Sequence, residues 1–261
     1  MRTAAILAET WHRPWPLPRQ RWILAMRWTD LLFAHWPVPA AEIAQQLPRG
    51  LSVDTYDGTG WLGVIPFRME QVRLRNGPIL PGQDHFLEMN VRTYVRESTR
   101  GDPGVYFFSL DTNNFAAALG ARAWYRLPYY WARMAIAASP TAIEYESHRL
   151  FSAREAALRV RYRGKGFDCA LPVSKPGSIE HFLTERYALF THSRGRIIRG
   201  DIQHRQWILE PAEAEFEHTS VVGAQGFALP DRPPLLHFSE SQDILAWPPQ
   251  IVPEERKRLI L

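Results

Sequence analysis

Between Phe86 and Val95 hydrophobic and polar positions alternate without a break. Leu87, Met89, Val91, Thr93 and Val95 fall on one side of an extended strand, and Glu88, Asn90, Arg92 and Tyr94 on the other. An acid, an amide, a guanidinium and a phenol thus stand in a row, about 7 Å per step. Such a row either faces water or lines a polar cavity. Asn is depleted in strands, and the set offers both hydrogen-bond senses with a fixed charge pair. Those two facts bring the cavity level with the solvent face and leave both readings open.

The rest of the chain is short apolar runs punctuated by 21 prolines and 16 glycines, the pattern of antiparallel β structure with short connections. Strands are predicted over Trp61–Met69, Phe86–Val95, Val105–Leu110, Trp131–Ala137, Ala142–Leu150, Ala157–Tyr162, Tyr187–Thr191, Arg196–Gln203 and Trp207–Glu210. Short helices are predicted over Met26–Trp36 and Ala40–Gln46, the second stopped by Pro48 and Gly50. Two more are Ala116–Trp124, capped by Asn113 or Asn114, and Ile179–Arg186, capped by Ser178. No linker or repeat divides the chain. Residues 1–19, rich in Trp, Arg and Pro, form an extended arm, 20–246 one domain, and 247–261 a loosely held tail. The expected class is α+β: an antiparallel sheet curled into a barrel around a central ligand cavity, with a few short flanking helices.

Composition narrows the function. No run of 18 apolar residues exists, and Ala4–Ala8 is too short for a secretion signal core, so a cytoplasmic protein without a membrane partner is expected. The lone Cys169 forms no internal disulfide. Of 31 basic side chains only Lys165, Lys175 and Lys257 are lysines, and the arginines are scattered. A net charge of +4 without a basic block argues against nucleic acid.

Several motifs fail on context. Gly58-Thr59-Gly60-Trp61-Leu62-Gly63 matches a dinucleotide fingerprint but continues as a strand, so a turn at Asp57-Gly58 explains it better. The nine histidines include no metal-binding pair, and no metal or cofactor is expected. No nucleophile elbow occurs, which leaves Ser109 a strand residue.

Asp54-x-x-Asp57-Gly58, Trp61–Phe67, Glu88–Val95, Gly104–Leu110, Ala121-Arg122 through Leu127-Pro128-Tyr129, Leu183–Tyr187, and His204 with Trp207 together resemble the YqjF-like family of uncharacterised bacterial proteins. That family in turn is similar to the acetoacetate decarboxylase superfamily. The resemblance implies a cone-shaped antiparallel β-barrel around a ligand cavity. In those decarboxylases a Gly-Arg-Glu motif runs on to Gly-Tyr-Pro-Lys-Lys, whose first lysine forms a Schiff base with its pKa lowered by its neighbour; such lysine activation is itself an established example. By resemblance Glu88 matches the barrel glutamate, Arg122 the motif arginine and Pro128 the proline. Tyr129 and Tyr130 then stand where the lysine pair belongs, and none of the three lysines replaces it.

The sequence therefore points to a small-molecule protein, lyase-like or isomerase-like if it is an enzyme, acting by acid–base chemistry without a Schiff base. Glu88, Arg122 and Tyr129 are the candidate catalytic residues; Asn90, Arg92 and Tyr94 are the candidate substrate-binding residues. The expected partner is an anionic carboxylate- or carbonyl-bearing metabolite, and self-association is left open. A non-catalytic ligand-binding or sensing protein is the alternative, and a single-stranded RNA binder comes third.

Overall fold

The computed structural model describes residues 3–166 and 174–253. Thirteen strands and four short helices are described, the shortest strands including β2 (Leu51–Val53) at a sheet edge. β1 (Leu24–Val38), β3 (Gly60–Leu74), β4 (His85–Glu97), β5 (Pro103–Thr112) and β12 (Leu235–Ala246) form one wall in the order β12-β1-β3-β4-β5, all antiparallel. The wall forks at both edges. At one edge the far end of β5 pairs in parallel with β6 (Tyr129–Ala138), and its near end pairs in parallel with β9 (Ala188–Ser193). At the other edge β12 pairs with β11 (Glu210–Thr219) and, further on, with β10 (Arg196–Gln203).

Two closed circuits result, sharing that wall. The larger runs through β6, β7 (Ile143–Arg149), β8 (Ala157–Gly164) and β11 and has nine strands. The smaller returns through β9 and β10. The structure is thus the expected barrel, mixed because β5 takes two parallel partners. Each circuit has its own interior. Leu87, Met89 and Val91 pack with Trp36, Tyr145 and Tyr162 in the nine-strand circuit. The opposite face of β4 meets Phe33, Ile65, Phe67, Leu110 and Tyr129 in the other. β4 is therefore buried on both faces along most of its length, and neither side of its alternation is a solvent face.

Four local expectations change. Met26–Trp36 is the heart of β1, not a helix: a strand with both faces covered loses its clean alternation and imitates helical spacing. The arm is not extended throughout, because α1 (Thr3–Ala8) buries Ile6, and Arg13 reaches Asp201 at 3.1 Å and the Ile202 carbonyl at 2.5 Å on β10. Trp207–Glu210 enters β11 only at its last residue. The start of the tail is tied down, since Trp247 is buried and β13 (Gln250–Ile251) pairs with β10; residues 254–261 lie outside the described residues.

Other expectations hold. α2 (Ala40–Ala44), α3 (Phe115–Trp124) and α4 (Ile179–Thr184) form, and Asn114 and Ser178 accept from the Ala117 and His181 amides as helix caps. Asp57 and Gly58 both take positive φ, +48° and +75°, between reciprocal Tyr56–Thr59 backbone bonds of 3.0 Å. That is the primed hairpin turn that an Asp-Gly pair favours.

Candidate functional site

The polar row of β4 is buried in the smaller circuit: Glu88, Asn90, Arg92 and Tyr94 are 3%, 5%, 8% and 0% exposed. At one end Tyr129, delivered by the loop after α3 into the first position of β6, donates to Glu88 Oε2 at 2.6 Å. Burial raises the Glu88 carboxyl to about 7, opposed by the Tyr129 hydrogen bond. Burial also drives the Tyr129 phenol well above its ordinary value, and the adjoining carboxylate adds to this, so it stays a proton donor.

At the other end the Arg92 guanidinium gives 3.4 Å and 3.3 Å contacts to the Tyr94 hydroxyl and the Leu183 carbonyl. It sits 5.6 Å from the Phe33 ring centre and 5.7 Å from that of Tyr94. The Tyr94 oxygen lies 2.6 Å from His35 Nε2 and 2.9 Å from the Leu183 carbonyl, which α4 presents. Burial, reinforced by Arg92 and His237, pushes the His35 imidazole well below its ordinary pKa and favours the neutral ring. His237, paired with Phe33 across β12 and β1, is likewise buried with its pKa lowered by burial and only partly restored by Glu180. Gly63 packs closely beside this group: a Cβ there would stand 3.1 Å from the His35 ring, which would have to give by a few tenths of an ångström.

Asn90 lies between the two ends. Its Oδ1 finds no hydrogen-bond partner among the described residues, and neither do Arg92 Nε, His35 Nδ1 and His237 Nδ1. Leaving a buried polar atom unpaired costs about 1–3 kcal/mol, and these four stand on three strands of one wall, β12, β1 and β4, with further unpaired buried atoms elsewhere in the fold. No three of His, Cys, Asp and Glu are grouped closely enough to hold a metal ion among the described residues.

Five of the six residues singled out from the sequence come together here. Arg122 does not join them, as its side chain lies on the exposed face of α3. The other family-like residues support the site from behind. Asp54 takes Arg186 at 2.6 Å and Arg96 at 2.8 Å, and the Arg186 guanidinium lies 5.0 Å from the Tyr94 ring. His204 stacks on Tyr187 at 4.6 Å, and Trp207 meets Phe33 edge-on at 5.0 Å. The sequence reading missed His35 and His237. Once residues 24–38 are read as a strand, Leu31, Phe33 and His35 share a face, a signal that the helix assignment hid.

The doubly closed β fold is acetoacetate decarboxylase-like. An acetoacetate decarboxylase structure superposes with a TM-score of 0.60 at 10% identity over 97% of this chain and 99% of that one. The acetoacetate decarboxylase-like enzyme from Sphingomonas wittichii RW1 gives 0.60 at 14% identity, covering 92% and 97%. The enduracididine biosynthesis enzyme MppR complexed with pyruvate also gives 0.60, at 10% identity over 93% and 95%. Within that fold class the chain belongs to the DUF2071 family, described as an uncharacterized conserved protein (COG2071), whose model matches residues 25–243. YqjF of Bacillus subtilis (strain 168) is 41% identical over 237 residues, 89% of this chain and 93% of that one. No described helix is long and apolar enough to cross a membrane.

Proposed function

We propose that the smaller circuit binds a small carboxylate- or carbonyl-bearing metabolite and acts on it by acid–base chemistry, without a Schiff base. One observation carries this reading. A fully buried carboxyl poised near neutrality, Glu88, stands on the same strand face as a buried amide and a buried guanidinium, of which Asn90 Oδ1 and Arg92 Nε lack protein partners. A general acid or base works best with its pKa near the working pH. Glu88 takes or returns the proton, and Tyr129 donates to whichever oxygen carries the charge. Arg92 holds the anionic end, with Asn90 aligning the ligand between them. Of the two arginines among the candidate residues, Arg92 and not the exposed Arg122 is the anion clamp of this reading, because a planar fork pairs with a carboxylate in a bidentate way only where the two meet. The neutral His35 supplies a further hydrogen-bonding atom at that end.

A structural neighbour holds pyruvate, so small keto and hydroxy acids are the first probes. A ligand at 100 times its dissociation constant stabilises the native state by about 2.7 kcal/mol, a shift of about 5–10 °C for a domain of this size. In a thermal-shift screen the acids should raise the midpoint and their methyl esters should not, and Arg92→Lys should blunt the response. Equal shifts from acids and esters would remove the anion clamp from this reading.

A further inference from the structure

Helix α3 is inside out. It turns the small Ala118 inward and leaves Phe115 and Leu119, four residues apart on one face, each 59% exposed. Arg122 continues that face one turn later. The apolar row runs on across β6 and the β7–β8 connection. Phe115 meets Trp131 edge-on at 5.6 Å, and Trp131 meets Phe151 at 6.1 Å. Phe151 is 92% exposed in a left-handed backbone conformation, φ +55°, at the tip of its loop. Arg133 shares the outer face of β6 with Trp131.

We propose that this face, centred on Phe115, Leu119, Trp131 and Phe151, is a twofold interface with a second copy of the chain. Two observations select that occupant. The first is area. At the exposures given, and with about 150–250 Å² for each aromatic side chain, these four groups offer on the order of 400–500 Å² of apolar surface. That is the apolar core of the roughly 800 Å² per partner that a standard interface buries. The second is chemistry. Residues 112–143 contain Arg122, Arg126 and Arg133 and not one carboxylate. A patch that carries both open aromatic faces and guanidinium groups complements itself, because an arginine of one copy stacks on an aromatic ring of the other. The interface would also brace α3 and the start of β6, the two elements on either side of the loop that brings Tyr129 to Glu88.

The test is sedimentation of the full chain over a concentration series, in low and in high salt. A reversible dimer is expected, and it should persist or tighten in high salt, where the arginines of the two copies repel each other less. Phe151→Asp suits the left-handed backbone and disturbs no core, so it should melt with the parent at dilutions where both are monomeric while weakening dimerisation at least tenfold. Leu119→Asp should do the same, and Arg122→Ala should weaken association to a lesser degree. A monomer at every concentration, or a dimer indifferent to Phe151→Asp and Leu119→Asp, would overturn the proposal. So would a monomer that instead binds vesicles of anionic lipid and is released by salt.

Discussion

Glu88 has a consequence for stability as well as for chemistry. Its folded-state pKa of about 7 lies above the ordinary carboxylate range because the protein interior disfavours the charge. Below that range both folded and unfolded chains hold the proton and nothing is lost. As the pH rises to about 7 the unfolded chain releases its proton first, and native stability falls through that window. A shift of this size corresponds to at most about 3 kcal/mol at pH 8. Glu88→Gln keeps the shape and the Tyr129 hydrogen bond but removes the charge. It should unfold at higher urea than the parent at pH 8 and at nearly the same urea at pH 4, while ligand binding falls strongly at pH 8, where only the parent carries the charge. A variant that loses cooperative unfolding at pH 8 would show that the carboxylate holds the barrel together.

At the scale of elements, burial separates two kinds of ion pair. On the outer face of β7, β8 and β11, Arg159, Arg161 and Arg163 meet Glu146, Glu144 and Glu213 at 3.0, 4.0 and 2.8 Å, all half in water. On the inward face of the nine-strand circuit Arg149 meets Asp111 at 2.7 Å with both side chains almost wholly buried, and lies 3.9 Å over the Tyr130 ring. Arg161→Ala should cost less than about 1 kcal/mol. Arg149→Ala should cost about 3–5 kcal/mol at pH 8, because it strands the Asp111 carboxylate. Burial already lifts that carboxyl to about 6, with Arg149 pulling the other way, so the penalty should shrink at pH 5 where it takes up a proton. Equal losses from the two substitutions in urea melts at pH 8 would contradict the difference in burial. The same distinction decides what the sequence made legible. β7 and β8, with one wet face, alternate plainly and were predicted to within a few residues. β1 and β12 belong to the shared wall, where the alternation is blurred. β12 in addition carries Ser239, Glu240, Ser241, Gln242 and Asp243, a stretch too polar to announce a strand.

For the whole molecule, the polar row of β4 was legible because one strand holds it, and the Tyr129 departure because the family-like motif is local. The His35 and His237 positions were not, since they stand on β1 and β12, and only the strand order β12-β1-β3-β4 of the shared wall sets them on the same face as the row. Closure also bears on the chemistry that the fold can run here. Schiff-base catalysis requires a lysine that is desolvated or set beside another cation, so that its amine is free at neutral pH. Lys165 is instead 42% exposed and paired with Glu213 at 3.0 Å, and Lys175 is exposed in the segment leading to α4; Lys257 lies outside the described residues. The interior position next to Glu88 is filled by a phenol. Incubation with pyruvate and borohydride, followed by intact mass measurement, should therefore leave the chain unmodified under conditions where pyruvate raises its melting temperature. One reduced pyruvyl adduct per chain, mapped to any of the three lysines, would place an amine in the site and overturn the assignment of acid–base chemistry to Glu88 and Tyr129.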